Sequence, residues 1–409
     1  MKWLILSGLL ITNVVQAEVL TLPDALAKAR SSSPRVLGAG EAASAATAES
    51  WGAAGGMLPN ISANASWSVR DSKRAGVATT THPTGEDITL VQPITLGDEW
   101  SRWRTMASLA RASEAEAKAA KQEVTVAVVS AYADVLAAEG EVSGTQALVK
   151  ALAREVSATA VRLKYGEGTK TDAAQSEARL AQAQARLAAA EGKHTTAHST
   201  LQRWVGPLET SITLVWPSAA DVATTVSATT NPAVAAAEAR AQAGKHTALA
   251  AWWEFLPEAN LTASTSHNDD SVAAGGGSQS AQTLMVNVSL PLFEGGQNIA
   301  NLSANRAKER QARYELEDIR RSWSTLLATA QSDVTATQLG EQAAKAALDA
   351  QVRATEGIHR EFELGTRSQL DVLNAEQELA QARTAWLTAR RNALVAHYNV
   401  LAAEGRLSE

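Results

Sequence analysis

The 409-residue chain contains no cysteine. That excludes a disulfide framework, a thiolate metal site and an amino-terminal lipid acceptor. It also lacks a long apolar run. The longest, Trp3 to Val15, falls short of the about 20 residues a spanning helix needs, so no helical membrane span is expected. With Lys2 before this run and Val15-Gln16-Ala17 after it, residues 1–17 read as a signal peptide. The net charge of −6 comes without any basic run long enough for nucleic acid. Aromatic residues are scarce at 4%, yet eleven of them are tryptophan.

Proline is absent from 94 to 206 and again from 292 to 409. An interior proline costs a helix about 3 kcal/mol, so these stretches are the natural places for long helices. Three of the prolines recur: Pro34, Pro59 and Pro93 answer Pro232, Pro257 and Pro291 with the same displacement of 198 residues. Gly97 answers Gly295. After one inserted residue, Gly166, Thr169 and Asp172 answer Gly365, Ser368 and Asp371. The chain is therefore two copies of one long unit, well beyond the roughly 20–50-residue period of a solenoid. The boundaries expected are a first repeat over 18–206, an inter-repeat segment over 207–231 and a second repeat over 232–409.

Within each copy the apolar spacing predicts helices over about 34–58, 97–165 and 169–205, then 232–256, 295–364 and 368–404. Val124, Val128, Ala131 and Val135 fall on one helical face, as do Ile319, Trp323, Leu327, Ala330 and Val334. Each long helix ends in a matching turn. Gly166 and Gly365 suit a left-handed helix stop, and Thr169 with Asp172, or Ser368 with Asp371, suits a capping box.

Between the prolines the period drops to two. Ile61, Ala63, Ala65, Trp67 and Val69 alternate with small polar residues, and Leu284, Val286, Val288 and Leu290 do the same. Strands are expected over about 60–70, 86–95, 259–267 and 283–292, each about the length that crosses a bilayer when tilted. Asp71–Gly85 and His267–Gln282, the latter with Gly275-Gly276-Gly277, read as exposed loops. Trp51, Trp100, Trp103, Trp252 and Trp253, with Phe293, stand near strand–helix junctions, where a membrane interface favours them. The plainer reading makes them core plugs where helices meet strands. Four strands cannot close a membrane barrel, so several chains must share one; the count alone leaves dimer, trimer and tetramer open.

The signal peptide, Leu22-Pro23-Asp24-Ala25-Leu26, Ser33-Pro34, Leu58-Pro59, Pro291 to Gly296 and above all Phe362 to Glu376 resemble the TolC family of outer-membrane channel-tunnels. The resemblance implies a mainly α fold with membrane β: long antiparallel helical hairpins forming a periplasmic α-barrel, and four strands per chain in a β-barrel shared by a homotrimer. It implies outer-membrane lipid around that barrel, a periplasmic adaptor, and an inner-membrane ABC or proton-driven transporter. It also places an entrance gate at Asp172, Arg367, Asp371, Phe362 and Asn374, and adaptor contacts at Gly166, Gly168, Thr169, Gly365, Thr366 and Ser368. Phe362 stands where the family has a tyrosine, and Asn374 where an aspartate is expected, which puts a cation-selective constriction in question.

The same residues admit a purely structural account: Asp172 and Asp371 are good capping residues, and Arg367 with Asp371 has helix-pair spacing. Type I protein secretion is the role expected, with multidrug efflux as the alternative. A rival from another class is a soluble periplasmic coiled-coil scaffold. No enzyme, cofactor or metal is expected: His194 and His198 lack a third ligand, and no HExxH is present.

Overall fold

The computed structural model describes residues 19–74, 76–208, 213–217, 231–271 and 277–407. The signal peptide, most of the inter-repeat segment, and Gly275 and Gly276 lie outside the described residues. In chain order the elements are β1 (Val19–Leu20), α1 (Leu22–Ser32), α2 (Pro34–Gly55), β2 (Asn60–Trp67), β3 (Arg70–Arg74), β4 (Val77–Thr81) and β5 (Thr84–Pro93). There follow α3 (Gly97–Lys164), α4 (Lys170–Val205), β6 (Thr213–Leu214), α5 (Pro232–Trp253), β7 (Glu258–Ser271), β8 (Gly277–Ser289), α6 (Gln297–Glu363) and α7 (Gln369–Ala403). At 1.5 Å per residue, α3 with 68 residues and α6 with 67 are each about 100 Å long. No described helix is long and apolar enough to cross a membrane.

Two compact units divide the chain, and α2, α3 and α6 contribute residues to both. One unit draws on Gly38–Ala119 and Thr230–Ser324. Its sheet runs β2-β5-β7-β8, all antiparallel. The register sets Ile61 opposite Leu90, Leu90 opposite Ala263 and Ala263 opposite Leu284. Directly opposed residues share a face. One face is therefore apolar, with Ile61, Ile88, Leu90, Leu261, Leu284, Val286 and Val288. The other carries hydroxyls and amides, among them Asn64, which donates to Asp87 at 3.0 Å, and Asn287, which donates to Asn260 at 3.3 Å. The apolar face is uncovered: Leu284 is 75% and Ile61 67% exposed.

Two segments expected as loops are largely strand. Asp71–Gly85 is not a loop throughout: β3 and β4 pair as a hairpin, with Thr80 donating to Asp71 at 2.6 Å. His267–Gln282 is mostly strand, since β7 continues to Ser271 and β8 begins at Gly277. Alternation is lost in both because neither face carries an apolar run there, yet main-chain pairing still satisfies the backbone.

Below the sheet, Trp253 lies so close over Gly97 that a Cβ there would overlap the indole. Glycine at this position lets α5 approach the start of α3. Thr105 and Thr247 meet at 3.5 Å one and a half to two turns further on.

The other unit draws on Met1–Leu37, Ala120–Thr229 and Thr325–Glu409. Its core gathers Leu20 and Leu22, then Val124, Val128, Val129, Tyr132 and Val135 of α3, Leu201 and Val205 of α4, and Tyr398 and Leu401 of α7. Periodicity did not announce α1, although Pro23 suits a first turn and Thr21 with Asp24 closes a capping box. The short parallel pair β1–β6 was not legible either. Tyr132 secures that pair: its hydroxyl lies 2.9 Å from the Leu20 carbonyl and 2.8 Å from that of Val215, and accepts from the Val215 N–H at 3.1 Å.

Candidate functional site at the helical hairpin tips

The α3–α4 and α6–α7 turns are the same device built twice. Gly166 and Gly365 adopt φ +79° and +77°. The Gly166 and Glu167 amides bond to the carbonyls of Leu163 and Arg162, and those of Gly365 and Thr366 to Phe362 and Glu361. This is the two-bond stop that satisfies the last carbonyls of a helix through a left-handed residue. Two residues after each glycine-led pair, the next helix starts on a capping box, Thr169 with Asp172 and Ser368 with Asp371. Sequence spacing foretold both caps.

The carboxylates are thus engaged locally. Asp371 accepts from the Ser368 hydroxyl at 2.8 Å and its amide at 3.0 Å, and these bonds, side chain first, hold its pKa below the ordinary carboxylate value. A depressed folded-state pKa stabilises the cap above the unfolded value and loses that contribution as pH falls through the folded one. The second tip is therefore expected to fray as pH falls below the ordinary carboxylate value of about 4 and on through the lower folded-state one. Amide exchange over 368–372, corrected for intrinsic rates, would read it. Asp371→Asn should abolish the pH dependence.

Arg367 does not pair with Asp371 along a helix. Ser368 is the cap, so Arg367 lies outside the helix, and its Nε donates to Glu361 at 2.7 Å. Among the described residues its Nη atoms bond to nothing. That bond to Glu361 raises the Arg367 pKa. Thr366 donates its hydroxyl to the Glu361 carbonyl at 2.8 Å.

The geometry adds residues that sequence reasoning missed. Arg162, near the end of α3, donates to Gln369 of α7 at 3.1 Å, pairs with Glu155 at 3.4 Å and lies 5.0 Å above the ring of Phe362. Gln369 in turn donates to the buried Thr159. On α4, Arg179 donates to Gln377 and, at 3.3 Å, to Asn374. Two arginines of the first hairpin thus hold three amides of the second, over a small apolar patch of Leu148, Leu152, Ala183 and Leu373. Phe362 and Asn374, the two departures from the family pattern, are both partners in this network. Arg179 of α4 and Gln377 of α7 lie on equivalent helices of the two repeats, and contact between equivalent helices of a duplicated chain is the signal that would have found this pair.

Among the expected interface aromatics, Trp51 and Phe293 are 74% and 84% exposed, Trp100 and Trp252 are exposed, and Trp103 and Trp253 are half-buried. His194 lies 3.7 Å from Glu139, and no described group of residues could hold a metal.

Paired helical hairpins of this length, carrying a sheet with one apolar and one polar face, define a protomer of the channel-tunnel class. The family model described as outer membrane efflux protein matches residues 25–207 and 227–406, one stretch for each repeat, and the chain belongs to that family, the TolC-type channels. Outer membrane efflux protein BepC of Brucella suis is 29% identical over 293 residues, covering 70% of this chain and 64% of that relative. Alkaline protease secretion protein AprF of Pseudomonas aeruginosa is 23% identical over 321 residues, covering 74% and 67%. The chain spans about two thirds of the length of these relatives. The CmeC outer membrane channel of Campylobacter jejuni superposes with a TM-score of 0.84 at 17% identity, over 94% of this chain and 85% of that one. Proteins of this family are outer-membrane channels with a long periplasmic tunnel, not enzymes.

Proposed function

We propose that three copies of this chain form a passive export duct through the outer membrane and periplasm. The observation that carries this reading is the four-stranded sheet itself. It ends in two edges, β2 and β8, without partners among the described residues, and lipid leaves unpaired edge groups at a cost of several kcal/mol each. A soluble coiled-coil scaffold has no use for such a sheet. Three copies supply twelve strands, placing the apolar face towards lipid and the hydroxyl-rich face towards a wet lumen. Ile299, Tyr314, Leu326 and Leu339, all exposed along α6, supply apolar surface for neighbouring copies.

In this reading the hairpin tips are the periplasmic entrance. Gly166, Gly168, Thr169, Gly365, Thr366 and Ser368 meet the adaptor, and an inner-membrane ABC or proton-driven transporter provides the energy. The entrance is held by Asp172, Arg367, Asp371, Phe362 and Asn374. The unused Nη donors of Arg367 support its reaching a neighbouring tip. An exposed ion pair is worth about 0–1 kcal/mol, so only a threefold ring of them makes a latch. The exported cargo is assigned to type I protein secretion, which the Gly365–Glu376 tip and the similarity to AprF support. The second reading, small-molecule efflux, is supported by the higher identity to BepC.

Purified protein is expected to run as a trimer in mild detergent and to conduct ions in planar bilayers, with Arg367→Ser raising single-channel conductance. A monomer that conducts nothing overturns the duct. A conducting trimer with unchanged Arg367→Ser conductance returns Arg367 to a structural role. Comparing secreted proteins and drug susceptibility in a deletion strain decides between the two cargoes.

A further inference from the structure

Where α3 and α5 leave the sheet, the charges are unevenly matched. Arg102 is neutralised by Asp98 at 2.8 Å, and Arg240 is paired with Glu116. Between them in height lie Arg104 and Lys245, both exposed, and neither pairs with a carboxylate among the described residues. The helices that carry them pack together. Thr105 meets Thr247, Trp100 packs edge-on against His246 at 6.1 Å, and Arg111 of α3 donates to Gln242 of α5 at 3.0 Å, a neutral partner that leaves its charge uncompensated. The His246 imidazole registers the result: burial first, then the charges of Arg104, Lys245 and Arg111, hold its pKa below the ordinary histidine value.

Arg104 is also held in place. Its guanidinium lies 4.8 Å from the Trp100 ring and 5.3 Å from that of Trp103, which leaves its donors free while fixing its plane. Counting along the helices, Arg104 is seven residues from the start of α3 and Lys245 eight from the end of α5, so both lie roughly 10–12 Å from the sheet-side ends. The exposed aromatics Trp51, Trp100, Trp252 and Phe293 stand near the sheet-side ends of α2, α3 and α5 and just before α6, nearer the strands along the chain than those cations. Rings at the edge of the hydrocarbon, with arginine and lysine within about two turns beyond them, match the depth of lipid phosphates, which basic side chains reach by extending along their own stems.

We propose that Arg104 and Lys245, with the Trp100–Trp103 pair, form a site for the phosphate headgroup of an anionic phospholipid of the periplasmic leaflet. The site rests on the membrane reading given above. Its geometry favours a planar arginine fork on the phosphate, with the lysine as a second point charge. Its strength should fall with salt.

The test is lipid retention. Wild-type protein and Arg104→Gln/Lys245→Gln would be reconstituted into vesicles of three parts phosphatidylcholine to one part phosphatidylglycerol, then re-extracted in mild detergent. Co-purified lipids would be counted by mass spectrometry. The wild type is expected to carry phosphatidylglycerol enriched about fivefold or more over the vesicle ratio, and the double variant to fall back to that ratio. Arg102→Gln, whose guanidinium is already paired, should keep the enrichment. Equal enrichment in wild type and double variant, or none in the wild type, overturns the site. The wild-type arm decides even where the double variant does not fold. Protein that never floats with vesicles brings down the membrane reading as well, whereas protein that inserts and conducts without enrichment brings down this site alone.

Discussion

Removing Arg162 and Arg179 together, as Arg162→Ala/Arg179→Ala, is expected to raise the time-averaged conductance of the reconstituted channel several-fold. These arginines tie the first hairpin to the second through Gln369, Asn374 and Gln377. A hydrogen bond to a charged group is worth about 1.5–3 kcal/mol, and partial exposure reduces that to about 1–2 kcal/mol per protomer. In the proposed trimer, three copies moving together would lose about 3–6 kcal/mol, enough to change an open-to-closed ratio by a factor of about a hundred or more. The acceptors are amides, so the tie should hold across the range where carboxylates titrate. Arg367→Ser alone should have a smaller effect, because its bond to Glu361 lies within one tip and an exposed pair with a neighbouring tip adds only about 0–1 kcal/mol. Single-channel recordings of the wild type and these two variants rank the contributions. Wild-type conductance in the double variant would show that the hairpins are held elsewhere.

Truncating Tyr132 is expected to be the most destabilising single change in the helical unit. The side chain is fully buried, and its hydroxyl serves main-chain groups of both β1 and the Val215 segment. Tyr132→Phe keeps the packing but strands those groups, at about 1–3 kcal/mol. Tyr132→Ala adds the cavity of a lost ring, for a total of about 4–5 kcal/mol. Thermal unfolding in detergent should rank wild type, phenylalanine and alanine in that order, and a phenylalanine variant as stable as wild type would sink the hydrogen-bond argument.

The caps and stops were readable because they are local. Gly365, Ser368 and Asp371 lie within seven residues, and the requirements of a helix end are met inside that window. The same holds for the sheet's amphipathic strands, where a two-residue period survives as long as one face is apolar. It fails beyond the apolar band, which is why β3, β4 and the outer parts of β7 and β8 read as loop. Arg162 and Arg179 were invisible for the opposite reason: the amides they hold stand 195 to 207 residues away, and spacing near either arginine does not point to them. Spacing alone allows Arg367 a helix pair with Asp371, but its place outside the helix gives it Glu361.

By itself the sequence determined the duplication, the proline-free helices, the turn chemistry and the alternating strands, since each follows from backbone preference or periodicity over a few residues. Only the tertiary structure decided the register that sorts the sheet into an apolar and a polar face, the β1–β6 pair around Tyr132, and the arginine–amide ties. Those depend on which distant segments meet, and side-chain spacing along one segment carries no record of its partner.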